Sequence, residues 1–133
     1  MAVVEREAAC SCGELRLVAQ GEPVRVSVCH CLACQRRTGS AFGFQARFIR
    51  NNVRVTGDWC EYVRDSDRGE SRTFYFCPRC GATVYYILGS APDLIAVPAG
   101  AFADPAFPGP QFSVWESRMH AWVTLPLDIA HDA

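Results

Sequence analysis

Seven of the eight cysteines in this 133-residue chain fall in three tight groups, and this grouping restricts the fold more than any other feature. The groups are Cys10-x-Cys12, Cys29-x-Cys31-x2-Cys34 and Cys77-x2-Cys80. Cysteines this close together are poorly placed to bridge each other and well placed to share a metal ion. A disulfide framework instead spreads its cysteines so that they join distant loops. The spacing therefore favours metal binding over cross-linking.

Two of the groups together match a closed zinc site. "CPRCG" has the form of a zinc knuckle, in which Cys77 and Cys80 point at one ion and Gly81 allows the following turn. Cys10 and Cys12, also followed by glycine, offer the second pair of sulfurs. Four thiolates form the tetrahedral shell of structural zinc sites. Such a site would contribute on the order of 10 kcal/mol of binding energy coupled to folding.

The remaining group, Cys29, Cys31 and Cys34, has no fourth cysteine nearby. Three protein ligands with one open position are the stoichiometry of a catalytic zinc. An all-thiolate shell is electron-rich, which makes the ion a weak Lewis acid that suits an exchangeable thiolate better than hydroxide. We therefore predict these three cysteines as catalytic residues and a thiol as the visiting ligand.

Other residues could in principle complete that shell. His30 lies between two of the ligands, but in an extended segment its side chain points the opposite way from theirs. Cys60 lies in a predicted strand and is expected to be a buried, inert thiol. His120 and His131 are isolated in the sequence, and we expect them to be surface or locally bonded histidines.

Apolar residues alternate with period two in many short segments, which is typical of antiparallel strands with one wet face. No window sustains a helical apolar pattern over three turns, so any helix should be short. The predicted fold is mainly β, with two packed sheets and little helix. A charged hairpin loop is expected at residues 64–71. The predicted strands cover residues 14–19, 24–29, 43–48, 53–57, 60–64, 72–76, 83–88, 94–100 and 120–125.

Composition limits the function classes. The length and the half-apolar content fit one domain over residues 1–133. The formal net charge of -1 gives no basic footprint for nucleic acid or for an anionic membrane. All thirteen basic residues are arginine, which excludes a Schiff-base lysine. The chain shows no secretory signal pattern and no long apolar run, so we expect a soluble, cytoplasmic protein.

The order of motifs resembles a known family. Cys-x-Cys-Gly is followed by Cys-His-Cys-x2-Cys-Gln-x3-Gly-Ser-Ala-Phe and then by Phe-Cys-x2-Cys-Gly. This order resembles the glutathione-dependent formaldehyde-activating enzyme family, which also includes centromere protein V. The later "VPAGAFADP" and "HAWVTL" look like that family's aspartate-proline turn and its tryptophan-bearing last strand. The resemblance runs from Cys10 to about Leu125.

The resemblance implies an Mss4-like antiparallel β-sandwich with two zinc ions. It places the structural ion on one set of cysteines and a second, more labile ion on the other. The implied activity is a carbon–sulfur lyase of the S-(hydroxymethyl)glutathione synthase type, in which the glutathione sulfur approaches the labile zinc. The structural set is Cys10, Cys12, Cys77 and Cys80, and the labile set is Cys29, Cys31 and Cys34.

The segment after the three-cysteine group supplies candidate substrate contacts. Arg36 and Arg37 could bind the carboxylates of glutathione, although an exposed, solvated pair is the simpler interpretation. Gly39 could allow close backbone approach and Ser40 could offer a hydroxyl beside the metal. An ordinary turn would account for both residues equally well.

Two alternatives without catalysis remain at this point: a glutathione-binding or thiol-binding carrier, and an interaction module that uses zinc only for folding. No nucleic-acid or membrane partner is expected, and the oligomeric state is open. Methionine-sulfoxide reductases of the B type share the broad fold, but they need a nucleophilic cysteine late in the chain. No cysteine follows Cys80, which argues against that chemistry.

Overall fold

The computed structural model describes residues 3–66 and 69–133. Within them the chain forms strands in two sheets, one seven-residue α-helix and three short 3-10 helices, so the prediction of a mainly β fold with little helix is confirmed. The strands are β1 (Glu5–Ala9), β2 (Arg16–Gln20), β3 (Arg25–Cys29), β4 (Gly43–Ile49), β5 (Val53–Thr56), β6 (Cys60–Asp65), β7 (Ser71–Phe76), β8 (Thr83–Leu88), β9 (Leu94–Pro98), β10 (Phe112–Val114) and β11 (Ala130–His131). The α-helix α1 is Leu32–Thr38, and the 3-10 helices are Arg50–Asn52, Ala99–Phe102 and Glu116–Arg118.

A small sheet and a large sheet form the two layers. The small one has the order β1-β2-β5 and is antiparallel throughout. The large one has the order β11-β10-β3-β4-β9-β8-β7-β6. Most of its pairings are antiparallel, but β10 runs parallel to both β3 and β11. These two parallel pairings were not part of the prediction, because they are made by a C-terminal segment that returns to β3 from far along the chain.

The core lies between the small sheet and the inner face of the large one. Leu15 and Leu17 from the small-sheet side pack in one cluster with Ala46 and Phe48 of β4. All four are fully or almost fully buried. Burying an aliphatic or aromatic side chain of this size stabilises the fold by about 1.5–3 kcal/mol. The strand alternation therefore sends one set of side chains into this core and the other set to the outer face.

The outer face of the large sheet carries α1. Across β3, β4, β9, β8 and β7 the register sets one row of residues side by side. From α1, the Arg37 guanidinium lies 5.4 Å from the centroid of the Tyr86 ring. The row consists of Arg25, Arg47, Ala96, Tyr86 and Phe74.

The predicted strand at residues 120–125 is wrong. A turn closes there, in which the Val123 N–H donates to the His120 carbonyl at 3.1 Å, and Trp122 is exposed. Val123 is the buried side chain of the segment. A single apolar anchor at a turn gives the same short apolar signature as a strand, which explains the error.

Cys60 is exposed, so the expectation of a buried thiol is also wrong. It begins β6, and β6 is the edge strand of the large sheet, where side chains have a neighbouring strand on one side only. The β6–β7 hairpin itself forms as expected, although residues 67 and 68 of its predicted loop lie outside the described residues. None of the helices in the described part of the chain combines the length and apolar character that a membrane-spanning segment needs.

Candidate metal centres

The first group of sulfurs joins two distant parts of the chain. Cys10 and Cys12 lie in the loop after β1, and Cys77 and Cys80 lie in the turn after β7. All four Sγ atoms lie within 4.8 Å of one another, with Cys10–Cys12 at 3.7 Å and Cys12–Cys77 at 3.6 Å. A tetrahedron with zinc–sulfur distances of about 2.3 Å has sulfur–sulfur edges of about 3.8 Å. The spacing of these sulfurs therefore fits one zinc ion.

Backbone amides hold the sulfurs of this four-cysteine site. The Leu15 N–H donates to Cys10 Sγ at 3.2 Å, and the Arg79 N–H donates to Cys77 Sγ at 3.3 Å. Hydrogen bonds from the backbone of Ala82 and Cys12 lower the pKa of Cys80 to about 6. Amide donors favour the thiolate form that a metal requires. The four-cysteine site is thus prepared for a cation by its own loops.

The second group comes from one short segment. Cys29 ends β3, Cys31 is the N-cap of α1 and Cys34 lies in the first turn of that helix. Their three Sγ atoms also lie within 4.8 Å of one another. Cys29 and Cys34 are buried, whereas Cys31 is partly exposed, so the three-cysteine site meets solvent at Cys31. The Cys34 N–H donates to Cys31 Sγ at 3.3 Å, which positions this sulfur at the start of the helix.

The three sulfurs influence one another strongly. Hydrogen bonds from Cys29 and Cys34 hold the pKa of Cys31 well below its usual range, and the Arg64 charge acts in the same direction. The contact with Cys31 in turn raises the pKa of Cys29. A soft, anionic sulfur set of this kind fits zinc.

Within residues 3–66 and 69–133, no fourth cysteine, histidine or carboxylate joins the three-cysteine site. His30 is fully buried, and its Nε2 lies 2.9 Å from Ser113 Oγ. His120 Nε2 contacts Gln35 Oε1 at 2.9 Å, and His131 Nδ1 contacts Glu116 Oε2 at 2.6 Å. All three histidines are thus locally bonded, as expected for His120 and His131, and the two cysteine groups remain distinct.

The predicted substrate contacts after the three-cysteine site lie at the end of α1. Arg36 is exposed. Gly39 ends the helix with a φ of 66° and donates its N–H to the Gln35 carbonyl at 2.8 Å. The Ser40 N–H donates to Thr38 Oγ1 at 3.2 Å. These are the contacts of a helix C-terminus, and a role of Arg36, Gly39 and Ser40 in ligand binding stays a prediction.

Two arginines lie beside the three-cysteine site: Arg37, which the sequence suggested as a candidate substrate contact, and Arg64, which it did not. The Arg37 guanidinium lies 5.5 Å from the centroid of the Phe74 ring, and the Arg64 guanidinium lies 4.9 Å from the same ring. Each charge acts on a cysteine of the site, Arg37 on Cys34 and Arg64 on Cys31. Arg37 follows Cys34 by three residues, so the helical period could have placed both on one face. Arg64 gives no such local signal.

Gln35 ties α1 to the C-terminal part of the chain. Its Nε2 donates to the His30 carbonyl at 2.8 Å and to the Arg118 carbonyl at 3.0 Å. Its Oε1 contacts His120. One amide therefore joins the three-cysteine segment to the 3-10 helix Glu116–Arg118 and to the turn that follows it.

Comparisons with known proteins extend these observations. The family model described as glutathione-dependent formaldehyde-activating enzyme matches residues 5–118. A crystal structure of a Rhodobacter sphaeroides protein is similar in fold, with a TM-score of 0.54 and 20% sequence identity over 71% of this chain and 85% of that one. A search of curated proteins finds no match.

Proposed function

The chain belongs to the glutathione-dependent formaldehyde-activating enzyme family, and on that premise we propose that it is a zinc-dependent carbon–sulfur lyase. The reaction interconverts formaldehyde plus glutathione and S-(hydroxymethyl)glutathione. The single observation that carries the proposal is the three-cysteine site, which no fourth ligand from the described residues completes and which meets solvent at Cys31. The free position is where a thiol substrate would bind.

The chemistry needs a sulfur that is ionised and held still. Zinc bound by Cys29, Cys31 and Cys34 would supply a soft cation that favours the thiolate form of a thiol ligand. In the forward direction a bond forms between the glutathione sulfur and the formaldehyde carbon. The carbonyl π electrons move to oxygen, which takes up a proton, and the thiol proton is released to solvent. The chain's own part is to position the three sulfurs between β3 and α1 and to exclude water on the buried side.

The four-cysteine site has a structural part in this proposal. Its sulfurs join the loop after β1 to the turn after β7, and Cys10 and Cys77 pack in the main core cluster. An ion there would connect the small sheet to the large one. None of the eight cysteines forms a disulfide, which fits a glutathione-containing, reducing compartment, and we place the protein in the cytoplasm on that ground.

Two-dimensional NMR exchange spectroscopy of glutathione with formaldehyde tests the activity. We expect the zinc-loaded protein to accelerate the interconversion and the variant Cys31→Ser to leave it at the uncatalysed rate. Cys60→Ser is the matched control, because Cys60 is exposed and belongs to neither site. An interconversion rate unchanged by saturating wild-type protein would reject the lyase.

The same samples separate the two non-catalytic alternatives. A carrier would bind glutathione in calorimetry without accelerating the exchange. An interaction module would show neither binding nor acceleration, and its zinc content would not respond to added thiol. The incomplete set of three ligands favours the lyase and the carrier over the interaction module, since a structural zinc site normally has four protein ligands.

A further inference from the structure

Five arginines converge on the outer face of the large sheet, next to the three-cysteine site. Strand register sets Arg25 directly opposite Arg47. In the adjoining row it sets Arg64 opposite Arg72. The guanidinium group of Arg37, which belongs to α1, lies over the rings of Phe74 and Tyr86 on the same face. Since the whole chain has a net charge of -1, this concentration of positive charge is local.

Several of these guanidinium groups have buried N–H donors that meet no acceptor. Among the described residues, no hydrogen-bond partner is found for Nε and Nη2 of Arg37 or for Nη2 of Arg64. The same is true of Nε of Arg25 and Nε of Arg72. Leaving a buried polar group unsatisfied destabilises a protein, and more so when the group is charged. Native structures keep few such groups, which points to an acceptor that arrives from outside.

Acidic side chains do not neutralise the positive charge of these five arginines. Within the described residues, the one ion pair that reaches these arginines joins Arg72 to Glu70 at 3.8 Å. Burial and the neighbouring charges of Arg25 and Arg72 lower the pKa of Arg47. Apart from Glu70, no acidic side chain of the described residues pairs with these arginines, so their mutual repulsion is unfavourable for the free protein.

The thiolates do not satisfy the donors either. Arg37 and Arg64 influence Cys34 and Cys31 through their charge, but their buried N–H groups donate to no sulfur. Arg25 and Arg72 also keep unsatisfied donors on this face. One or two of these arginines would be enough to balance the negative charge of the sulfurs. The unsatisfied donors of the other arginines would remain unexplained.

We propose that this arginine face binds the acidic groups of the thiol ligand, with Arg37 and Arg64 as the residues that select a thiol carrying carboxylates. A carboxylate accepts two N–H bonds from a guanidinium fork, which matches the donors left free here. The proposal rests on the proposed function only for the sulfur end of the ligand. A neutral thiol would leave the same N–H groups unpaired and would therefore be rejected.

Binding of S-methylglutathione tests the face without any chemistry at sulfur, because this probe keeps both carboxylates and has no free thiol. Calorimetry would compare it with its diethyl ester on the zinc-loaded protein. We expect the diacid to bind, the ester to bind at least about tenfold more weakly, and added salt to weaken the diacid. Arg37→Gln and Arg64→Gln should each weaken the diacid about tenfold or more.

Arg54→Gln is the matched control, since Arg54 is an exposed arginine on β5 of the small sheet and should leave the affinity unchanged. Circular dichroism checks that each variant is folded, and Arg64 on the edge strand offers a second test if Arg37→Gln does not fold. Equal affinity for diacid and ester, no binding of the diacid, or wild-type affinity in the folded variants would overturn the proposal. Diacid binding that depends on these arginines, combined with an unchanged formaldehyde exchange rate, would keep the arginine face and reject the lyase.

Discussion

The two cysteine sites use the same ligand chemistry but draw on the chain differently. The four-cysteine site takes two sulfurs from the loop after β1 and two from the turn after β7. The three-cysteine site takes all its sulfurs from the junction of β3 and α1. An ion that joins distant segments stabilises the folded state, because the unfolded chain cannot offer it the same ligands. An ion held by one segment adds little to folding and is free to exchange.

The surroundings of the two cysteine sites also differ. Cys10 and Cys77 belong to the main core cluster, together with Leu15 and Leu17. The three-cysteine site lies by contrast on the arginine face, where Arg37 and Arg64 keep unsatisfied N–H donors. One site is anchored in the core through Cys10 and Cys77, although Cys12 and Cys80 are exposed, and the other leaves contacts to be made by a ligand. The surroundings of a metal site, and not only its number of ligands, therefore distinguish a structural site from a catalytic one.

The largest effect should follow from Cys77→Ser. Zinc binding worth about 10 kcal/mol is comparable with the whole stability of a domain, about 5–15 kcal/mol, so we expect the variant to lose its fold. Far-ultraviolet circular dichroism and thermal denaturation measure this directly. A native spectrum with an unchanged midpoint would show that the four-cysteine site is not structural.

Gly57→Ala tests the same site through the backbone. Gly57 has a φ of 100°, and a Cβ atom there would clash with the Glu14 carbonyl in the loop between Cys12 and β2. Strain of this kind plus displacement of that loop should cost about 3 kcal/mol. Urea unfolding measures the loss. Stability equal to that of the wild type would mean that the loop adapts freely and does not depend on this close approach.

Cys31→Ser should separate zinc content from stability. Serine also caps helix N-termini well, so we expect a loss of stability below about 1 kcal/mol while one equivalent of zinc disappears. Metal analysis and thermal denaturation on one preparation give both quantities. A global collapse of the fold would mean that the structural and labile roles have been assigned the wrong way round.

Gly43→Ala tests the surroundings of the three-cysteine site without removing a ligand. A Cβ atom at Gly43 would lie 3.2 Å from Arg37 Nη2 and 3.4 Å from Cys34 Cβ, and the flexible end of Arg37 can move away. We expect a cost of about 1 kcal/mol in stability but a measurable loss of S-methylglutathione affinity. If Gly43→Ala costs as much stability as Gly57→Ala, the surroundings of the three-cysteine site are as rigid as those of the four-cysteine site.

Local sequence patterns were sufficient to predict most of the strands and both groups of cysteine ligands. Strands such as β2 and β5 alternate in burial because one face enters the core, and tight cysteine spacing limits which sulfurs can meet. The strand β1 escaped prediction because its sequence "EREAA" buries only the small side chain of Ala8 completely. The parallel strand β10 escaped because its partner lies far away in the sequence.

The arginine face could not be predicted from local sequence patterns. Arg25, Arg47, Arg64 and Arg72 are scattered over nearly fifty residues, and only strand register sets them on one surface. Adjacent Arg36 and Arg37 look equivalent in the sequence, yet successive residues of a helix point in directions about 100° apart. The structure therefore sends Arg37 to the sheet and Arg36 to solvent, a choice that depends on where α1 begins.

Cys31 has two tasks at once, since its sulfur belongs to the three-cysteine site and accepts the Cys34 N–H at the start of α1. A sulfur that gives its electrons to a metal or a ligand has fewer to share with that amide. The rate at which the Cys34 amide hydrogen exchanges with heavy water should therefore change as the site fills. The amide hydrogen of Cys34 thus provides a built-in isotopic reporter of occupancy that needs neither an attached dye nor a coloured metal.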